Sequence, residues 1–518
     1  MKTNNESSVL NKEILTLKDR VKELEVLVKF YEDQFALSKK RQFGFSSEKS
    51  EYDQLSMDSM DKIGDPGTIP RDKEPDLEHV EEHYRKKKRT RSDSLPENIH
   101  IEEIHCSLPE TEQRCTECDT EMEHFGNDSR KELVVIPAKV MIRRYVAHTY
   151  ICRNCPDDLE QTQIKKAKWP NPVIKGSFAS PESIAYAAHQ KFVMGVPLYR
   201  QEQEWQRRDV LLSRQTMANW LIRAAKDWLV PIYDELKRQM LLRKVLHADE
   251  TTFHVLKEPG KKTQSKGYLW CYRTSGDTDE PIVLAEYRPD RRNCNPAVFL
   301  QGYSGYLHSD GYDAYHKLPE CITVVGCWAH VRRKWDDALK IIKVEDRKDS
   351  IAFKGKEYCD KLFAIERELA VVDSDMRYEE RTTKLKPEID EFYAWAWETR
   401  NAVRPTSPAG KAISYMFSQQ QYLMNILLDG RLELSNNRVE RTIKPFVISR
   451  KNFLFANTLR GAESAAVIFS LIETAKETGL DPFEYLTYVF KTAPNIDVGN
   501  PDKLKLLLPS NYKETHCS

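Results

Sequence analysis

The sequence has no net charge, no long hydrophobic run and no apolar leader. Its 80 basic residues balance 80 acidic ones, so the overall charge neither favours nor excludes a nucleic-acid partner. The longest apolar runs fall well short of the roughly 18 residues that a membrane span needs, so we expect no membrane partner. The first residues, MKTNNESSVLNKE, lack the apolar core of a signal peptide. We therefore expect a cytoplasmic protein whose 11 cysteines are reduced or bound to metal.

The length and an N-terminal repeat indicate a multidomain oligomer. At about 100–200 residues per domain, 518 residues predict three or four units. Apolar residues recur every seven positions at Leu10, Leu17, Leu24 and Tyr31, and between them at Ile14, Val21, Val28 and Phe35. This 4,3 spacing predicts a coiled coil over residues 1–45, through which the protein forms a homo-oligomer. The alternative is an amphipathic helix packed on its own domain.

The segment 46–95 is poor in large apolar residues and mixes glycine, proline, serine and acids. It ends close to the basic run RKKKRTR. This composition predicts a flexible basic linker. The basic run is either a solvated segment or a salt-sensitive, non-specific contact for phosphates.

Two pairs of cysteines lie in the segment 96–168. Cys115 and Cys118 form one CxxC pair, and Cys152 and Cys155 form a second pair after 33 residues. Two such pairs can place four thiolates around one zinc ion, with the alternating stretch between them forming a hairpin. We therefore predict a zinc ribbon, in which structural Zn²⁺ stabilises a module with little core of its own. Free thiols and disulfides are the less favoured alternatives.

The segment 169–240 has the pattern of helices separated by short breaks. SPESIAYAAHQKFV begins with a serine cap and a proline in the first turn, and Ser213 caps RQTMANWLIRAAKDWL. Arg214, Gln215 and Asn219 come near the start of this second helix, where a DNA-reading helix-turn-helix presents its base contacts. We predict a helix-turn-helix-like DNA-binding region. An ordinary helical hairpin is the alternative.

Strand patterns and acidic residues characterise the segment 241–335. VLHADETTFHVL places Asp249 and Glu250 in an otherwise buried strand, and KGYLWCYRT and PIVLAEYRP follow as two more strands. Asp310 comes where the alternation of a fourth strand ends, and ITVVGCWAHVRRKW predicts a fifth strand running into a basic helix. This order is that of an RNase H-like mixed sheet, in which the first and fourth strands are neighbours and acids on them can meet. Glu250 should point away from Asp249, because successive strand residues face opposite sides.

A third acid is expected on a helix that returns to the same edge of the sheet. The candidate is Glu440 in ELSNNRVERTIKP, where paired asparagines are suitable caps and Pro445 should limit the helix. The alternative for Glu440 is a surface ion pair with Lys444. Asp249, Asp310 and Glu440 together could hold two Mg²⁺ or Mn²⁺ ions about 4 Å apart. Such a pair of ions activates an attacking oxygen and stabilises the leaving oxygen of a phosphodiester.

The stretch between Asp310 and Glu440 is longer than this sheet requires. Most of residues 336–430 has the pattern of charged helices, which predicts an all-helical insertion. Trp395 and Trp397 are expected to pack in its core or, less favourably, to stack on DNA. The catalytic core resumes over 431–470, and 471–518 predicts C-terminal helices around a glycine that pack on it.

Several strings resemble the transposases of the insertion sequence 66 family, whose DDE catalytic domain has an RNase H-like fold. They are HADETTFHVL, LHSDGYDAYHKL, CWAHVRRKW, LELSNNRVERTIKP, RKNFLFAN and SLIETAKETGLDPFEYL. The resemblance extends to the N-terminal coiled coil, the CxxC pairs and the helical region. It places the catalytic triad on Asp249, Asp310 and Glu440. One departure is Ser435, because the family commonly has aspartate before the paired asparagines.

The resemblance implies a DNA transposase of the cytoplasm, associated with the nucleoid. Such an enzyme binds the terminal inverted repeats of its element, nicks the ends hydrolytically and joins the freed 3′ hydroxyl to target DNA. Element-encoded accessory proteins are implied as further partners. Because the chain is neutral, DNA binding would depend on local patches, and His330, Arg332 and Arg333 on the helix after the fifth strand are candidates. A solvated helix face is the alternative.

Two other functions compete with this interpretation. One is a zinc-containing DNA-binding regulator with an inactive nuclease-like domain, against which the intact acids argue. The other is an RNase H-like nuclease acting on RNA–DNA hybrids, which the predicted DNA-binding modules make less attractive. The sequence therefore predicts a multidomain α/β protein. Its RNase H-like mixed sheet with an all-helical insertion follows a coiled coil, a zinc ribbon and a helix-turn-helix-like region.

Overall fold

The computed structural model describes residues 140–151, 164–258, 260 and 266–516. Contacts divide the chain into two compact units, with the boundary between Trp169 and Pro170. The predicted coiled coil over 1–45, the linker over 46–95 and the cysteines of the predicted zinc ribbon lie outside the described residues. In the smaller unit, strands β1 (Thr149–Ile151) and β2 (Ile164–Lys166) form an antiparallel pair.

The described part of the larger unit begins with four helices. They are α1 (Pro181–Phe192), α2 (Leu198–Gln206), α3 (Arg214–Ala224) and α4 (Val230–Met240), with a π-helical turn joining the last two. The side chain of Ser180 accepts a hydrogen bond from the N–H of Ser183, and Ser213 caps α3 in the same way through Thr216. These contacts confirm the two serine-capped helices, because each hydroxyl satisfies a backbone donor that the first helical turn leaves free.

A mixed sheet follows the helices. Its strands are β3 (Val245–Lys257), β4 (Lys266–Thr274), β5 (Val283–Arg288), β6 (Gly305–His308) and β7 (Ile322–Val325), and they lie in the order β5-β4-β3-β6-β7. Strand β4 is antiparallel to both of its neighbours, β3 and β5, whereas β3, β6 and β7 are parallel. The first strand, β3, and the fourth, β6, are therefore neighbours, as the strand order along the sequence predicted. A short helix, α5 (Cys294–Phe299), connects the antiparallel and parallel halves.

The described residues after β7 form helices and turns up to the segment that carries the third acid. They are α6 (Trp328–Lys340), α7 (Ile351–Glu368), α8 (Ser374–Glu380), α9 (Lys386–Thr399), α10 (Pro408–Ser418) and α11 (Gln420–Met424). Trp335 of α6 is fully buried beside Phe392 of α9, so α6 anchors the insertion to the sheet. Trp395 packs partly buried against this core, whereas Trp397 is 57% exposed with the Arg400 guanidinium over its ring.

The helix with the third acid, α12 (Asn437–Phe453), continues past Pro445. The expectation that proline limits this helix was wrong. Proline removes one intrahelical hydrogen bond, but Ile443 and Phe446 on either side of it are buried and hold the helix against its neighbours. Val439 and Ile443 pack on the buried Cys271 of β4, so the i,i+4 apolar pair fixes which face of α12 meets the sheet.

The C-terminal region packs on the antiparallel half of the sheet. After β8 (Ala456–Thr458) come α13 (Leu459–Glu477), α14 (Pro482–Thr492), α15 (Pro501–Lys505) and α16 (Pro509–His516). Thr474 of α13 bonds both the N–H and the carbonyl of Val283 in β5, at 3.0 and 2.9 Å. These two hydrogen bonds attach α13 to the edge strand of the sheet. Among the residues described, no helix is long and apolar enough to cross a membrane.

Candidate active site

Two of the predicted acids lie at the same level of neighbouring parallel strands. His247 of β3 is paired in register with His308 of β6. Asp249 and Asp310 each follow two residues later. Asp249 therefore lies within β3 at the level where Asp310 follows the end of β6. Both acids are partly buried. The N–H of Tyr312 donates to Oδ1 of Asp310 at 2.9 Å, which fixes that carboxylate at the turn after β6.

The third acid, Glu440, sits in the first turn of α12. Its Oε2 accepts a hydrogen bond from Nη2 of Arg333 at 3.2 Å, and its Oε1 lies 3.7 Å from Nε2 of His330. Oε1 itself is buried without a hydrogen-bond partner. Glu440 therefore faces α6, with one carboxylate oxygen free to take a further ligand.

The environment of Asp249 raises the pKa of its carboxyl. The pKa of its carboxyl lies well above the ordinary value, chiefly because the group is buried. Three further carboxylates add negative charge around it, those of Glu250, Glu440 and Asp310. Clustered carboxylates repel one another and favour protonation unless a cation is present. A site built in this way is suited to a multivalent cation.

Glu250 lies apart from this cluster of ligands, as strand alternation predicts. Its Oε1 accepts from Nε of Arg291 at 2.5 Å, and its Oε2 accepts from the Tyr315 hydroxyl at 2.5 Å. Arg291 also lies over the Tyr312 ring, with its guanidinium carbon 3.6 Å from the centroid. The Glu250 carboxylate is thereby occupied by protein partners, and it acts on Asp249 through its charge rather than as a neighbouring ligand.

The residues fit a hard divalent cation. Asp249, Asp310 and Glu440 offer only oxygen donors, which Mg²⁺ and Mn²⁺ prefer. A second donor set shares one of these acids: single ligand atoms of Cys327, His330 and Glu440 all lie within 4.8 Å of one another. Sequence reasoning missed Cys327, although the Cys-x-x-His spacing of CWAH was a visible signal.

The predicted DNA-contacting residues of α6 separate into two groups. His330 and Arg333 lie beside Glu440, with Nη1 of Arg333 3.3 Å from Nε2 of His330. Arg332 differs from this expectation, since it is buried and its Nε donates to Asp360 of α7 at 2.5 Å. A helix turns by about 100° per residue, so consecutive arginines cannot face the same neighbour. Arg333 is thus the arginine at the candidate site, and Arg332 holds the insertion.

The candidate base-contacting residues of α3 are all exposed: Arg214, Gln215 and Asn219. Nε2 of Gln215 donates to Oδ1 of Asn219 at 3.1 Å across one helical turn. Arg214 lies near Glu202 of α2, with its guanidinium carbon 5.4 Å from the Tyr199 ring centroid. These side chains therefore share an exposed surface at the start of α3.

Sequence reasoning also missed a group of buried polar residues behind the acids. His247 and His308 are fully buried, and Asn436, which precedes α12, is fully buried beside them. Burial and the adjacent His247 hold the pKa of His308 well below its ordinary value, so this ring is neutral. The available signal was the repeated spacing of His-Ala-Asp and His-Ser-Asp, in which a histidine stands two residues before each acid.

Carboxylates that hold a pair of divalent metal ions are typical of enzymes that act on phosphodiesters. Comparison with protein families identifies the class further. Residues 176–464 match the Transposase IS66 family, and 470–510 match the IS66 C-terminal element. Residues 112–156, which include all four paired cysteines, match the zinc-finger binding domain of transposase IS66, and 31–104 match the Transposase C of IS166 homeodomain. The chain belongs to the IS66 transposase family.

Relatives of similar length support this assignment. In Sinorhizobium fredii (strain NBRC 101917 / NGR234), the uncharacterized protein y4qI is 31% identical over 80% of this chain and 76% of its own length. The uncharacterized protein y4jD of the same strain is 28% identical over 87% of this chain and 88% of its own. Both proteins are therefore similar to this chain over most of its length.

Proposed function

We propose that this protein is a DNA transposase that binds the terminal inverted repeats of its element and performs hydrolysis and strand transfer through Asp249, Asp310 and Glu440. The register of β3 and β6, which brings Asp249 and Asp310 to the same level of neighbouring strands, carries this proposal. The strand order, with the first strand between an antiparallel and a parallel neighbour, supports an RNase H-like fold for the catalytic core. Membership of the IS66 family gives the substrate class as DNA.

The three acids would hold two Mg²⁺ or Mn²⁺ ions. Bound in this way, the ions supply Lewis-acid activation of the attacking oxygen and stabilisation of the leaving oxygen of the scissile phosphodiester. The chain's own part is to position the carboxylates from rigid elements, Asp249 on the central strand and Glu440 on α12. Arg333, which pairs with Glu440, is well placed to contact a phosphate of the bound strand, with His330 next to it.

The remaining modules would act on DNA outside the reacting centre. Exposed Arg214, Gln215 and Asn219 would read the element end from α3. The four cysteines, Cys115, Cys118, Cys152 and Cys155, would hold a structural zinc ion. The N-terminal heptads would bring together copies of the chain in the cytoplasm, at the nucleoid, and element-encoded accessory proteins are further candidate partners.

Metal dependence of cleavage tests this function. The substrate is a duplex that carries the inverted repeat found in the DNA flanking the gene, and the matched control is a duplex with the repeat scrambled. We expect strand cleavage at the element end with Mg²⁺ or Mn²⁺, and none after chelation of the metal. Specific binding of the repeat without cleavage under any metal would instead identify a zinc-containing DNA-binding regulator. Preferential cleavage of an RNA–DNA hybrid would identify an RNase H-like nuclease.

The exposed surface of α3 gives a separate prediction about DNA affinity. Arg214→Ala should weaken binding of the inverted-repeat duplex by about 1–3 kcal/mol if the arginine reads a base. It should then reduce the preference for the repeat over scrambled DNA, as measured by fluorescence anisotropy at fixed salt. Arg223→Ala, on the same helix and also exposed, is the control and should leave that preference unchanged. Equal losses on both duplexes would mean that Arg214 contacts only phosphates.

A further inference from the structure

We propose that His247, His308, Asn436 and Glu433 form a buried polar clamp that sets the relative positions of the three candidate metal-binding carboxylates. These are positioning residues, and their role rests on the proposed function. Each acid stands two to four residues beyond a member of the clamp: Asp249 after His247, Asp310 after His308, and Glu440 after Asn436. The clamp therefore joins the three separate elements that must bring the acids together.

The two histidines join the strands. Their rings stack with centroids 4.4 Å apart and planes inclined by 13°. Both side chains are completely buried. Since the residues are paired in register on parallel strands, the stacked rings resist sliding of β6 along β3. A slip of that kind would displace Asp310 from the level of Asp249.

Asn436 joins the helix with the third acid to β3. Its Nδ2 donates to the carbonyl of Ala248 at 2.9 Å, and its Oδ1 lies 2.9 Å from Nδ1 of His247. Because the amide nitrogen must face the carbonyl, its oxygen faces the imidazole and accepts from Nδ1–H. The side chain makes no hydrogen bond to the N-terminus of α12, although Asn436 occupies the cap position. The Asn436 side chain therefore bonds to β3 instead of capping α12.

Glu433 and Cys327 complete the connections. The N–H of Glu433 donates to Nε2 of His308 at 3.1 Å, which ties the segment before α12 to β6. The N–H of Asn436 donates to Sγ of Cys327 at 3.1 Å, at the junction between β7 and α6. The carboxylate of Glu433 is held in turn by Nε of Arg438 at 2.6 Å. Contacts therefore reach every element that contributes to the candidate site.

The polar character of the clamp indicates that its role is to position the three carboxylates. Apolar residues would fill the same space without the cost of burying amide and imidazole groups. Hydrogen bonds, unlike apolar contacts, fix direction and distance, so those made by Asn436 and by the N–H of Glu433 define how the segment before α12 sits on β3 and β6. Groups that orient metal ligands from behind commonly change metal affinity by about 10–100-fold when they are removed.

Binding of Mn²⁺ to the full-length protein, followed by electron paramagnetic resonance, tests the clamp. Asn436→Ala should weaken Mn²⁺ binding by about 10–100-fold and slow end cleavage by a similar factor, while the affinity for inverted-repeat DNA stays as in the wild type. The matched control is Thr474→Val, which removes two buried hydrogen bonds to β5 at the edge of the sheet, away from β3 and β6. The thermal stability of Thr474→Val should fall about as much as that of Asn436→Ala, whereas its Mn²⁺ affinity should stay at the wild-type value.

A conservative variant keeps the test decisive if Asn436→Ala does not fold. Asn436→Asp retains the size and the oxygen facing His247 but loses the donor to Ala248, so a smaller drop in Mn²⁺ affinity is expected. Wild-type Mn²⁺ affinity in whichever of these variants folds would overturn the clamp. If the wild type itself shows no Mn²⁺ site that Asp249→Ala removes, the proposed function fails, and the two failures are therefore distinguishable.

Discussion

Asp249→Ala and Glu440→Gln are each expected to reduce Mg²⁺-dependent cleavage of the element end by roughly a thousandfold or more. Loss of an anionic ligand removes several kcal/mol of metal-derived charge stabilisation in the transition state, and each 1.36 kcal/mol is a factor of ten in rate. Glu440→Gln keeps the shape of the side chain and an oxygen that can accept from Arg333. Its fold and its affinity for inverted-repeat DNA should therefore match those of the wild type.

Single-turnover cleavage at saturating protein measures this effect without interference from binding. Glu388→Gln is the matched control, because its side chain is similarly buried, 19% exposed against 26% for Glu440, and it also pairs with a cation, Lys361. This control should cleave at the wild-type rate. A Glu440→Gln protein as active as the wild type would remove Glu440 from the triad and leave the third ligand to be found elsewhere.

Arg381→Met should lower the free energy of unfolding by about 3–5 kcal/mol, the usual cost of leaving a buried charge unpaired. The Arg381 side chain is completely buried between α8 and α9 and pairs with Glu366 of α7. It also donates to three backbone carbonyls in the segment that leads toward α12, at 3.2, 2.8 and 2.6 Å: those of Ile426, Asp429 and Leu432. One guanidinium thus ties three carbonyls of the segment 426–432 to Glu366 of α7.

Urea denaturation followed by circular dichroism measures this loss. Arg431→Met is the control, since Arg431 pairs with Asp429 at 2.7 Å near the surface and exposed pairs contribute about 0–1 kcal/mol. A double variant that also changes Glu366 to Leu should recover part of the stability, because the orphaned carboxylate is removed. An Arg381→Met loss no larger than that of Arg431→Met would show that solvent reaches the guanidinium.

Periodicity and order along the sequence were enough to predict the strands and the pairing of β3 with β6, which carry or precede two of the acids. Alternation located β3 to β7 closely because each strand has one regular pattern, and the neighbouring first and fourth strands followed from their order. The helix of Glu440 was predicted from its apolar pair, yet its end was misjudged because packing around Pro445 outweighs a local propensity. Three-dimensional packing decides such cases, and a single sequence does not contain it.

Side-chain partners were the least predictable part of the candidate site. Adjacent Arg332 and Arg333 have the same chemistry, but one is buried against the insertion and the other faces Glu440. Nothing local distinguishes them, because Asp360 and Glu440 are distant in sequence. Likewise, the sequence predicted that Asn436 caps α12, because asparagine is a favoured cap residue. Its side-chain amide instead donates to the Ala248 carbonyl of β3. Only the fold determines which of several possible hydrogen bonds forms.

The helix α12 is attached to β3 at both of its ends. Asn436 bonds the carbonyl of Ala248, and beyond the helix Ala456 is paired with Val255. The 17 residues of α12 extend about 25 Å at 1.5 Å each, and the seven strand steps from Ala248 to Val255 extend about 24 Å. The length of α12 therefore matches the length of the β3 segment between its two points of attachment. Insertions and deletions should be tolerated in the loops of the insertion but not within α12, where one residue more or less would rotate Glu440 away from its partners or unpair β8.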